Sequence, residues 1–155
     1  MWYARANTIK NMARRGFTLP EMLLSVTLLV MIGGMVMPMY RTFLVRDDLD
    51  IAATTLAQSL RRAQSLSISA DGDMSWGVRV GVGSILVYKG ASYVSRDSTY
   101  DENTSMPTSI IPTGVSEIVF SKVFGVPSAT GTFIFTSQAN ETRDITINGK
   151  GMVDY

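Results

Sequence analysis

The sequence predicts an α+β protein: one long N-terminal helix, half transmembrane and half amphipathic, packed on a small antiparallel β-sheet domain. Three observations carry this. Met22–Tyr40 is an uncharged run of 19 residues. Beyond Arg41, apolar residues at Leu49, Ala52, Ala53, Leu56, Leu60 and Ala63 fall at i, i+3, i+4 spacing, the signature of an amphipathic helix. From Trp76 onward the pattern changes to alternation, with short apolar stretches bounded by Gly, Pro, Asn and Ser, as strands and turns require.

Residues 1–16 hold Arg5, Lys10, Arg14 and Arg15 and no acid. The apolar run that follows would span roughly 28 Å as a helix, about the thickness of a bilayer's hydrocarbon core. Only Ser25 and Thr27 interrupt it, whereas a soluble core helix carries polar residues at every third or fourth position. With the cations on its N-terminal side, the positive-inside rule leaves residues 1–16 in the cytoplasm and sends 41–155 across. A secretory signal peptide is the competing reading. Against it, the apolar stretch exceeds the usual ~7–15 residues, and no small-x-small cleavage site follows in Met37-Pro38-Met39-Tyr40-Arg41.

Glu21 stands at the edge of this run. A carboxylate in a membrane helix costs about 2.5–3.5 kcal/mol at the centre and less near the interface, and it commonly marks function. It either snorkels to the headgroups or meets a partner inside the membrane. The helix is expected to continue from Phe17 to about Ser69, some ~80 Å, with Gly33, Gly34 and Pro38 as its weak points. Pro38 removes a helix hydrogen bond and clashes one turn back, giving a kink; the glycine pair permits close helix packing in a membrane.

Asp71-Gly72-Asp73 ends the helix. Strands are expected at Trp76–Val82, Ile85–Lys89, Gly90–Ser95, Val115–Phe124, Thr132–Thr136 and Arg143–Asn148, with a two-residue hairpin turn at Gly83-Ser84. The polar stretch Arg96–Pro112 reads as an exposed loop. The domains are therefore a basic leader at 1–16, a membrane helix at 17–40, an amphipathic helix at 41–70 and a β-rich globular part at 71–155.

Composition narrows the chemistry. There is no Cys and no His, so disulfides, thiolate nucleophiles, imidazole bases, Ser-His-Asp triads and His- or Cys-ligated metals are excluded. No acid/base pair can be named either, so the chain is read as a non-enzyme with no cofactor. Asp97, Asp101 and Glu102 are weak calcium ligand candidates, because their spacing fits no EF-hand-like loop. Arg143 and Lys150 stand among Glu141, Asp144 and Asp154 near the C-terminus, too few cations for the counterion release that drives nucleic-acid binding.

The run Arg14-Arg15-Gly16-Phe17-Thr18-Leu19-Pro20-Glu21 resembles the prepilin cleavage and N-methylation motif of type IV pilins and pseudopilins, and the apolar helix that family requires follows at once. The resemblance implies that a prepilin peptidase cuts between Gly16 and Phe17 and methylates the new amine of Phe17. Glu21 would then pair with the N-terminal amine of a neighbouring subunit and set axial register, two charges each costly in lipid becoming tolerable together. Pro38 falls where many pilins carry a helix proline, and in filaments of that family the stretch locally unwinds. A long helix followed by a small β domain is most similar to the GspH/FimT-type minor pseudopilins and minor pilins, in SLRRAQSLSI, WGVRV, GTFIF and RDITINGKG. One departure is plain: without Cys the chain has no C-terminal disulfide loop.

The implied partners are prepilin peptidase, other pilin or pseudopilin subunits through the N-terminal helix, and an inner-membrane assembly platform. The implied location is a single pass of the inner membrane, C-terminal domain outside, and then a filament. The alternative is a membrane-anchored extracytoplasmic binding module that does not polymerise. Cutting after Gly16 would remove four of the 14 basic residues and none of the 13 acids, so the near-neutral +1 of the whole chain divides into a basic leader and a mildly acidic product.

Overall fold

A computed structural model of the chain describes residues 16–155 and, within them, every side chain except those of 35–42. Residues 1–15 of the expected leader and the side chain of Pro38 lie outside the described residues. The chain divides into two compact units, Met1–Tyr40 and Arg41–Tyr155. Helix α1 (Leu19–Ile68) supplies residues to both, and Gly33, Gly34 and Pro38 all fall within its helical assignment.

In the second unit the predicted stripe is the buried one. Leu49, Ala52, Ala53, Leu56, Leu60 and Ala63 are each 2% exposed or less. They share one core cluster with Val78, Ile85, Ile118, Phe120, Phe133, Phe135, Ile145 and Ile147 from the strands. The alanines matter here, because small side chains on the inner face leave room for the large aromatic and aliphatic strand residues of the cluster.

Past Ile68 the chain turns at Ala70, in the left-handed region with φ 51°, into a short 3-10 turn at Asp71–Asp73. Eight strands follow: β1 (Trp76–Gly81), β2 (Ser84–Lys89), β3 (Asp97–Ser105), β4 (Ile111–Gly114), β5 (Glu117–Phe120), β6 (Gly131–Thr136), β7 (Thr142–Ile147) and β8 (Val153–Asp154). They form two antiparallel four-stranded sheets, ordered β3-β2-β1-β5 and β4-β6-β7-β8. The fold is α+β, as expected, but with two sheets where one was anticipated.

Other differences are local. The hairpin turn is Val82-Gly83, one residue earlier than expected, since Gly81 pairs with Ser84; Gly83 takes φ +80°, a conformation that favours glycine. Gly90–Ser95 is not a strand, and of Val115–Phe124 only Glu117–Phe120 is. The expected loop at 96–112 contains β3 and the start of β4. β3 is an edge strand, pairing Leu86↔Asn103 and Val87↔Glu102 with β2 and shifting register between Val87 and Lys89. Neither of its faces is buried, so its sequence, DSTYDENTS, carries no alternation to read. Its Tyr100 lies beneath the Lys89 ammonium, 4.1 Å from the ring centroid, and meets the Trp76 ring edge-on.

Candidate functional site

The first turn of α1 is built by the residues the motif singles out. Gly16, Phe17 and Thr18 precede the helix, and Thr18 is its N-cap. The Thr18 backbone N–H donates to Glu21 Oε2 at 3.3 Å, and the Thr18 hydroxyl donates to the same oxygen at 3.4 Å. This is one half of a capping box, Thr-x-x-Glu, which satisfies donors that a helix start otherwise leaves bare. Pro20 suits the first turn because its missing N–H has no helical acceptor there. Glu21 also places a negative charge at the positive end of the helix dipole. Both hydrogen bonds use Oε2, and Oε1 has no partner among the described residues. The carboxylate therefore keeps acceptor capacity for another cation.

Behind this turn the surface is apolar on all sides. Every apolar side chain from Leu19 to Ile32 is more than half exposed, including Leu24 at 69% and Met31 at 70%. The two polar residues hide their hydroxyls inside the helix: Ser25 donates to the Glu21 carbonyl at 2.8 Å and Thr27 to the Leu23 carbonyl at 2.7 Å. Such back-bonding removes the need for water at either position. Gly33 and Gly34 leave open space where a Cβ would stand. Among the described residues no helix is long and apolar enough to cross a membrane; the expected span at 22–40 runs into 35–42, whose side chains lie outside them.

The calcium candidates are not brought together. Asp101 takes the Arg96 guanidinium at 2.9 Å, Glu102 takes Arg62 at 2.5 Å, and Asp97 accepts the Thr99 N–H at 3.0 Å. Adjacent residues on a strand point to opposite faces, which is why Asp101 and Glu102 serve different arginines. Among the described residues no group of three acidic side chains gathers to hold a metal. Arg62 holds the Glu102 carboxyl below the usual carboxylate range. Toward the C-terminus, Arg143 is tied to Asp50 at 2.6 Å and Glu141 to Arg46 at 3.1 Å. Both pairs join α1 to β7 or the turn before it.

Two arrangements had no signal in the sequence. Ser67, fully buried, accepts the Trp76 N–H at 2.9 Å and donates to the Phe120 carbonyl at 3.2 Å, fastening the end of α1 between β1 and β5. The Tyr93 ring lies between two guanidinium groups, Arg79 and Arg96, each 4.0 Å from its centroid. Its backbone N–H donates to Glu117 Oε1 at 2.8 Å, an oxygen that also accepts the Tyr88 hydroxyl at 2.5 Å. Burial, then the bond to Glu117, pushes the Tyr88 phenol well above its ordinary pKa. These contacts pin the 90–96 segment to the sheet. A lone serine in a helix, like a tyrosine in a loop, gives no hint of partners distant in sequence.

No family model matches the sequence, and no curated protein does. Among solved structures, the fold is similar to that of the minor pseudopilin EpsH from the type 2 secretion system of Vibrio cholerae. The two share 12% identity with a TM-score of 0.52, over 69% of this chain and 94% of that one. At that identity the likeness speaks for the fold: the chain has a pseudopilin-like α+β fold.

Proposed function

We propose that the chain is a pilin-like structural subunit, a minor pseudopilin or minor pilin of a type IV pilus or a type II secretion-like filament. The observation that carries this reading is the start of α1. A capped helix, apolar on every side, begins two residues after Phe17, with one Glu21 carboxylate oxygen unpartnered among the described residues. An apolar surface of that kind demands a cover. Lipid supplies it for the stored subunit, with 22–40 spanning the inner membrane, and neighbouring helices supply it in the filament.

In this account prepilin peptidase cuts between Gly16 and Phe17 and methylates the Phe17 amine. Gly16 suits the cut because an extended backbone without a Cβ can approach catalytic groups closely. The Phe17 ammonium of an incoming subunit then meets Glu21 of its neighbour, and a misplaced subunit leaves both charges unpaired. Thr18 supports the pair by holding Oε2, which aims the carboxylate. The assembly platform draws on the same helix. The work is structural, with the 41–155 unit displayed outside the membrane.

The test is Glu21→Ala. The variant is expected to be cut after Gly16 and to remain in the membrane without entering filaments. Normal incorporation would overturn the pairing, and a membrane protein that is never cut nor polymerised would point to the plain anchored module.

A further inference from the structure

The loop after β5 holds an aromatic side chain out in solvent. Phe124 is 79% exposed, and Val123, Val126 and Ile68 around it are each about half exposed. Val123 sits at φ 72°, a left-handed conformation that β-branched residues rarely adopt and that costs on the order of 1–3 kcal/mol. The surrounding structure imposes it. The Val123 N–H donates to the Ser67 carbonyl at 2.8 Å, and the Gly125 N–H donates to the Ser121 carbonyl at 2.8 Å. The Val126 N–H donates to Ser121 Oγ at 3.0 Å, and Gln64 Nε2 donates to the Gly125 carbonyl at 3.0 Å. Ile68 packs against Gly125. An aromatic side chain held on a fixed loop suits the role of an anchor for a partner's pocket, because little loop entropy is left to lose on binding.

A pocket of that kind stands beside it. A cleft of about 570 Å³ lies over the outer face of β5, with Ala91, Val119, Val126 and Pro127 as apolar walls and Glu117 and Ser128 among the polar ones. Phe124 leaves it open, since its own ring stays in solvent. Glu117 is the one charged wall, and Lys122 is the one charged residue of the 121–126 loop. Lys122 pairs with Asp73, whose side chain is exposed, and such surface pairs exchange readily for others.

We propose that this face pairs two copies of the chain, with Phe124 of each copy seated in the cleft of the other. Val126 belongs both to the exposed patch and to the cleft wall, so knob and cavity lie side by side. Bringing one copy's knob to the other's cleft therefore brings the second knob to the first cleft. The contact is isologous, with a two-fold axis between the rings, and it closes at two copies. A foreign partner with a single pocket would cover the knob and leave the cleft open, whereas a second copy fills both. The charges agree, because Lys122 beside each knob approaches Glu117 in the facing cleft. Ile68, Val123, Phe124 and Val126 bare roughly 400 Å² per copy. Two such patches stay below the ~1,200 Å² at which specific interfaces begin to be stable, so the pair is transient. It uses only residues of the 41–155 unit and needs no cleavage at Gly16.

Light-triggered capture suits a transient pair. The full chain in detergent micelles carries p-benzoylphenylalanine in place of Phe124, and equal parts of unlabelled and ¹⁵N-labelled copies are mixed and irradiated. A cross-link joining a light to a heavy copy is expected, attached within 90–96 or 117–128 of the second copy. Its yield should be at least tenfold above that of the same probe at Ile111, a half-exposed residue of β4. Ala91→Trp fills the cleft from an exposed position and should lower the yield several-fold while the unfolding midpoint stays that of the parent. No cross-linked pair, attachment spread over other segments, equal yields from 124 and 111, or an undiminished yield with Ala91→Trp would each overturn the proposal.

Discussion

Replacing Ser67 by alanine isolates the contact that joins the end of α1 to the first sheet. Trp76 and Phe120 face each other in the β1–β5 ladder, and the Ser67 hydroxyl stands between the Trp76 N–H and the Phe120 carbonyl. It accepts from one at 2.9 Å and donates to the other at 3.2 Å, with the serine 0% exposed. Without the hydroxyl a buried donor and a buried acceptor lose their partner together, and no water can reach them. Leaving such groups unsatisfied costs about 1–3 kcal/mol. The control is Ser59→Ala. That serine is 8% exposed, and its hydroxyl donates only to the Thr55 carbonyl of its own helix at 2.8 Å. Its loss is offset by the better helix propensity of alanine, about 0.5 kcal/mol. Urea unfolding of the full chain in detergent micelles, followed by tryptophan fluorescence in a Trp2→Phe background, reads Trp76 alone, which is 4% exposed in the core. Ser67→Ala should lower stability by at least ~1 kcal/mol more than Ser59→Ala. Equal midpoints and slopes for the two variants would refute it, by showing that the strands close the gap themselves.

Further outcomes follow from the same contacts. Gly125 sits at φ +63°, and a Cβ there would fall 2.6 Å from Ile68 Cγ1 and 3.2 Å from Gln64 Cγ. Gly125→Ala combines strain and overpacking and should cost about 1–3 kcal/mol by the same unfolding assay; an unchanged midpoint would contradict the geometry. The carboxyls of Asp50, Glu102 and Asp73 are held below their ordinary range by hydrogen bonds to Arg143, Arg62 and Lys122. Because the folded values are depressed, the stabilisation is complete above the unfolded carboxylate range near pH 4 and is lost as pH falls through the folded values. Glu102→Gln should therefore lower the midpoint at neutral pH and converge with the parent in acid, flattening the acid limb of a midpoint-versus-pH curve; a parallel curve would assign the acid limb elsewhere.

Periodicity decided how much of the architecture was legible. The inner stripe of α1 could be read because Leu49 to Ala63 contacts one continuous core, so burial repeats with the helix. The β1–β2 hairpin was legible for the related reason that Val78, Val80, Ile85 and Val87 face that core and alternate with their neighbours. β3 was not, because a strand exposed on both faces has nothing to alternate. The division into two sheets was equally hidden. It depends on which strand pairs with which, such as β6 between β4 and β7, and pairing across a loop leaves no mark on either strand alone. At the helix start, Thr18 and Glu21 stand three residues apart as a capping box requires. Motif and local geometry therefore coincide there, whereas the acids of β3 were close in sequence and served different arginines.

The account turns on the junction between Gly16 and Phe17. The intact mass of the full chain produced with and without prepilin peptidase tests it most directly. The account predicts that, with the peptidase, the product loses its first 16 residues, starts at Phe17 and carries one added methyl group on the new amine. A chain that keeps all 155 residues, or one cut at another bond, would contradict it.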